Sequence, residues 1–264
     1  MEYKQYNTRL INPSQLLPEM VELQKEYLDL VLVPSSLVLM LGYHLYLLYR
    51  ILKLPHTTVV GYENHNKNAW VERMLQKETD ISVAISVITS NISTSSYLAS
   101  LSITLSSLIG TWVGNSSKTL FDNVLLGDRS LSTYAIKYIS ILACFLIAFT
   151  SFMQSVRYYV HASFLISTLE SDLPIEYVQR AVIRGGNFWS LGLRALYFAT
   201  MLLLWVFGPI PMFICSVTMV IALHILDTNS LPLHQFRFSL DKKWSKKDVT
   251  SSHGNLIRKP TFIL

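Results

Sequence analysis

Charge is what this chain has least of. Only 15% of its 264 residues are Asp, Glu, Lys or Arg, whereas a soluble domain carries closer to about a quarter. The shortage is concentrated in long runs. Residues 81–113 and 138–156 hold no formal charge, 195–226 hold none if His224 is neutral, and 28–49 hold only Asp29 near their start. A membrane span needs roughly 20 mostly apolar residues, and each run is near or above that length. Together they use about half the chain, which excludes a large soluble domain. Any catalysis would have to sit in the membrane or in short loops.

Cysteine is nearly absent. The two present, Cys144 and Cys215, both fall inside apolar runs, where a cysteine acts as a small apolar residue rather than half of a disulfide or a metal site. Catalytic signatures are absent too: no Ser-His-Asp spacing, no Cys/His cluster and no phosphate-binding glycine loop. The expectation is therefore a protein that is not an enzyme, with no metal and no cofactor. The basic residues of the C-terminal tail, Lys242, Lys243, Lys246, Lys247, Arg258 and Lys259, form a short cluster with no nucleic-acid motif around it. It reads as a solvated tail that fixes orientation, or one that touches anionic headgroups. The first 27 residues are polar, with Glu19, Glu22 and Glu26, and lack the early apolar core of a cleavable signal peptide.

What remains is an all-α membrane protein of about four transmembrane helices: an N-terminal arm (1–26), a four-span domain (27–227) and a basic tail (228–264). Span 1 runs from about Tyr27 to Arg50 and Lys53, before Pro55. The stretch 56–68 reads as a polar loop and 69–77 as a short amphipathic helix. Span 2 follows Asp80, and 114–132 form a polar loop. Span 3 starts near Tyr134 and continues past Arg157. The stretch 170–192, with Pro174 and the Gly185-Gly186 pair, reads as a connection. Span 4 starts near Leu193 and is kinked or broken at Gly208-Pro209-Ile210-Pro211. Four crossings place both ends of the domain on one side, together with the 114–132 loop. The lysine-rich tail then points that side to the cytosol, while the sequon Asn115-Ser116-Ser117 requires the same loop to be lumenal. The two markers disagree.

Span 2 differs from the others. Ser82, Ser86, Thr89, Ser93, Ser96, Ser100, Thr104, Ser107 and Thr111 recur in steps of three and four, the spacing of one face of an α-helix. At 1.5 Å per residue this hydroxyl stripe is roughly 43 Å long, more than a ~30 Å hydrocarbon core. It has two physical uses. Small residues let helices approach closely and hydroxyls bond across them. Alternatively, hydroxyls line a water-filled path and hydrate ions without holding them as fixed charges would. In the second case copies of span 2 around a symmetry axis make the pore, and Glu78, Asp80 or Asp122 near its ends become rings that attract cations. As a local alternative, Asp80 caps the helix and Asp122 sits in a turn.

Several segments carry a resemblance: Tyr27-Leu28-Asp29-Leu30-Val31-Leu32-Val33-Pro34, Tyr43-His44, Pro55 with Thr57-Thr58-Val59-Val60-Gly61, Trp70-Val71, Lys137-Tyr138 and Ser155-Val156-Arg157. Further on come Ala195-Leu196-Tyr197-Phe198-Ala199, the run from Leu203 to Pro209, the run from Cys215 to Val220, and Leu226-Asp227. In this order they resemble a plant membrane-protein family labelled domain of unknown function 599. The N-terminal arm and the serine-rich span 2 diverge from typical members. One relative in that family is described as a calcium-permeable, homo-oligomeric channel of the endoplasmic reticulum linked to defence. The resemblance implies a homo-oligomer, five-fold around a central pore, with calcium and other cations as permeants, the bilayer as its environment and no nucleic-acid partner.

Overall fold

In the computed structural model the described residues are 13–76, 78–115, 131–168 and 174–230, and all regular structure among them is helical. The order is α1 (Pro13–Lys53), a short 3-10 turn (Pro55–Thr57), α2 (Val59–Leu75), α3 (Glu78–Asn115), α4 (Leu131–Ser167), α5 (Ile175–Phe207) and α6 (Pro209–Asp227). Five helical stretches are long and apolar enough to cross a membrane: Asp29–Lys53, Asp80–Thr111, Ala135–Ser167, Ile175–Phe207 and Pro209–Asp227. The chain is thus an all-helical protein with the make-up of an integral membrane protein.

The expected four spans become five, for a local reason. Gly208 has φ 143° and ψ 170°, a conformation closed to residues with a Cβ. Pro209 then opens α6, where its missing N–H costs nothing. The result is a break and a reversal rather than a kink. Arg194 on α5 meets Asp227 at the end of α6, so the two helices run antiparallel.

Two stretches read as connections are helical. Residues 59–68 belong to α2, whose N-cap is Thr58: its hydroxyl oxygen accepts from the Gly61 N–H at 3.2 Å. Residues 175–192 form the first half of α5. Gly185 and Gly192 do not break this helix. A Cβ at Gly192 would lie 2.7 Å from the Phe152 ring, and one at Gly185 3.0 Å from Tyr159. These glycines let α5 lie close against α4.

With 38, 37 and 33 residues, α3, α4 and α5 are about 57, 56 and 50 Å long. Fitting α3 within a ~30 Å hydrocarbon core would need a tilt of about 58°, beyond the 0–40° range of membrane helices. The long helices therefore project. Packing follows the same division. One core joins Val33 and Met40 of α1, Ile109 of α3, Ile141 and Phe145 of α4, Leu202 and Trp205 of α5 and Met212 of α6. A second core joins Val71 of α2, Ile88 of α3, Tyr159 and Ile166 of α4 and Val178 and Val182 of α5. The first involves all five candidate spans. The second is a smaller four-helix layer in which α2 runs beside the first half of α5, with Asn64 donating to Asn187 at 3.1 Å and Gln179 donating to the Asn68 carbonyl at 3.1 Å.

Candidate functional site

Two polar features stand out from this apolar body, and the first is α3. Its inward face is set by Ala84, Ile88, Ser95, Ala99, Ser102, Ser106 and Ile109, all buried. Small side chains dominate because α4 lies close: the Ser95 and Ser155 hydroxyls are 3.3 Å apart, and Ser155 also donates to the Gly185 carbonyl of α5 at 2.8 Å. Three helices are tied together by that pair of serines.

The nine-residue hydroxyl stripe is on another face. Ser82, Ser86, Thr89, Ser93, Ser100, Thr104, Ser107 and Thr111 are exposed, and Ser96 is half-buried. At 100° per residue this row lies nearly opposite the buried one. The stripe is therefore not what packs α3 inside the subunit. Several of its hydroxyls donate back into their own helix: Thr104 to the Ser100 carbonyl at 2.8 Å, Ser107 to Ile103 at 2.9 Å and Thr111 to Ser107 at 2.9 Å. This satisfies each proton and leaves oxygen lone pairs directed outward along the helix. Tyr97, Leu101, Ile103 and Leu108 are also exposed, so the polar row is bordered by apolar flanks.

Of the acidic residues proposed for the pore mouths, Glu78 begins α3, with its side chain outside the described residues. Asp80 lies half-buried in the first turn. Asp122 falls outside the described residues. Among the described residues no group of three or more His, Cys, Asp or Glu side chains could hold a metal ion. An apolar groove of about 710 Å³ opens between α3 and α5 over α4, lined by Leu105, Leu108, Phe145, Leu196 and Leu203, with Thr111 and Thr200 at its margins.

The second feature is an ionic knot that the sequence reading missed. Asp227 is 6% exposed. Arg194 reaches both its carboxylate oxygens, one at 2.8 Å, and the Tyr43 hydroxyl donates to Oδ2 at 2.6 Å. Two-pronged arginine–carboxylate pairing is among the strongest polar contacts available to a protein. Two turns beyond Tyr43 on α1, Arg50 donates to the Thr57 carbonyl at 2.7 Å and to the Thr228 hydroxyl at 3.3 Å. A bridge between Thr58 and Thr228 completes the seam. The ends of α1 and α6 and the middle of α5 are thus fastened at one level. The available signal was that Arg194 and Asp227 bracket an otherwise uncharged run. Without the reversal at Gly208 they would have been read as opposite ends of one span.

Lys137 is a further ionisable residue in an apolar setting. It is 3% exposed, with its Nζ 5.2 Å from the centre of the Trp205 ring.

A family model described as "Protein of unknown function, DUF599" matches residues 31–232, a stretch that includes all five candidate spans but for the first two residues of α1's apolar segment. No curated protein and no solved structure matches the chain.

Proposed function

The chain belongs to the DUF599 family, and on that premise we propose that it is a homo-oligomeric cation channel, calcium-permeable and five-fold, of an internal membrane such as the endoplasmic reticulum. The observation that carries this reading is the outward exposure of the hydroxyl stripe on α3. The polar row is 30 residues long (82–111) on a membrane-spanning helix, and the back-bonds of Thr104, Ser107 and Thr111 make only part of it tolerable against lipid. It is better used against water or another polar surface. Copies of the chain with α3 turned to a common axis would present oxygen lone pairs to a hydrated lumen. The inward face of α3 is already occupied by α4, so forming that lumen needs no rearrangement within the subunit. Asp80 at one end of the stripe would form a ring of negative charge in such an assembly, and Glu78 and Asp122 are further contributors by their position in the chain.

A non-conducting scaffold is the second reading. It is favoured by the back-bonded hydroxyls, which make the same face tolerable in a lipid-facing monomer. The two readings separate by reconstitution of the purified chain in planar bilayers. The channel predicts discrete single-channel currents under a calcium gradient and a ring-shaped particle viewed along the membrane normal. A silent bilayer together with a monomeric particle sinks it.

A further inference from the structure

The reversal at Gly208 changes which parts of the chain share a side of the membrane. With five crossings, the α2 layer, the end of α1, the end of α4, the start of α5 and the chain leaving α6 lie together, as the Arg50–Thr228 and Asp227–Arg194 contacts require. The start of α1, the Asn115 end of α3, the start of α4 and the Gly208 turn lie at the opposite end.

From this we infer that the molecule is inserted with its α2 layer in the cytosol and its Asn115 end on the non-cytosolic side. Charge is the first argument. Among the described residues, seven Lys and Arg lie on the α2 side, four within 50–73 and three within 157–184. At the other end Lys25 of α1 is the only one among the described residues. The remaining two, Lys137, which is buried, and Arg194, which pairs with Asp227 within the α5–α6 hairpin, are counted on neither side. Basic residues close to span ends are retained in the cytosol, where the leaflet is anionic. Arg73, Arg157, Arg180 and Arg184 are exposed at the surface of the α2 layer, and α4 carries no acidic residue at all.

The sequon is the second and independent argument. Asn115, which opens the sequon Asn115-Ser116-Ser117, ends α3 opposite the basic layer, the side on which a sequon has meaning. With four crossings these two markers contradict each other. With five they agree. The inference concerns insertion alone and holds for a channel and a scaffold alike, so its failure would leave the conduction test untouched.

The full chain, carrying one epitope before residue 1 and a different one after residue 264, is to be translated into sealed microsomes and treated with protease. The expected result is loss of the C-terminal epitope without detergent, with the N-terminal epitope surviving until detergent is added. A glycan acceptor placed in the N-terminal arm should also give a glycosidase-sensitive increase in mass, and the same acceptor after residue 240 should not. The opposite pattern of protection overturns the orientation. Both epitopes lost, or both protected, gives an even number of crossings and overturns the inference at its base.

Discussion

Arg194 and Asp227 lie 33 positions apart and meet guanidinium to carboxylate across the α5–α6 hairpin. Each is mostly shielded from solvent. Breaking a buried pair from one side leaves a charge without compensation and costs about 3–5 kcal/mol, whereas replacing both partners with apolar residues is often close to neutral. Arg194→Leu and Asp227→Leu should each lower the thermal midpoint of the detergent-solubilised protein substantially. The double variant should melt above either single one. Equal or additive losses would mean that the pair does not hold the hairpin.

The outward serines at the middle of α3 give the second prediction. Replacing Ser93, Ser96 and Ser100 together with Leu changes two exposed residues and one half-buried one, none of them on the buried face of α3, so folding and assembly should persist. Single-channel conductance should fall severalfold, because the narrow part of a wetted path becomes apolar and tends to dewet. Size-exclusion elution and bilayer recordings on the same preparation check both halves. Unchanged conductance would remove this face of α3 from the conducting path.

Glycines along the helices should respond unequally to alanine. At Gly192 the added methyl meets the Phe152 ring at 2.7 Å, and overpacking of this kind costs about 1–3 kcal/mol. At Gly42 a Cβ finds nothing within 4 Å, and alanine is the better helix former by about 1 kcal/mol. Thermal midpoints should therefore move down for Gly192→Ala and hold or rise for Gly42→Ala.

Gly208→Ala tests the turn itself. Its φ of 143° lies where residues with a Cβ pay about 1–3 kcal/mol of strain. The variant should be less stable, and its loss should exceed that of Gly42→Ala by a clear margin in the same melting assay. A neutral outcome would argue for a kink through this region in place of a reversal.

The sequence made the membrane character, α3 and α4 legible, because uncharged runs and helical periodicity are local properties. It did not reveal α5 before Leu193. Gly185 and Gly186 look like breakers by composition, and only the neighbouring Tyr159 and Lys67 show them to be contact points. The stripe was visible as a period, but its direction was not. Ser95, Ser102 and Ser106 repeat with the same spacing as Ser93, Ser100 and Thr104, and which row faces inward depends on the position of α4. Tyr43, Arg194 and Asp227 come from three distant segments, and their meeting depends on one backbone angle at Gly208.

Because α3, α4 and α5 pass unbroken from the α2 layer into the five-helix core, they are rigid levers that span both. A rotation of about 5° in a helix about 50 Å long moves its far end by about 4 Å, the scale of a side chain. A displacement of α2 would therefore meet helices that run without a break to the depth where the serines of α3 face outward.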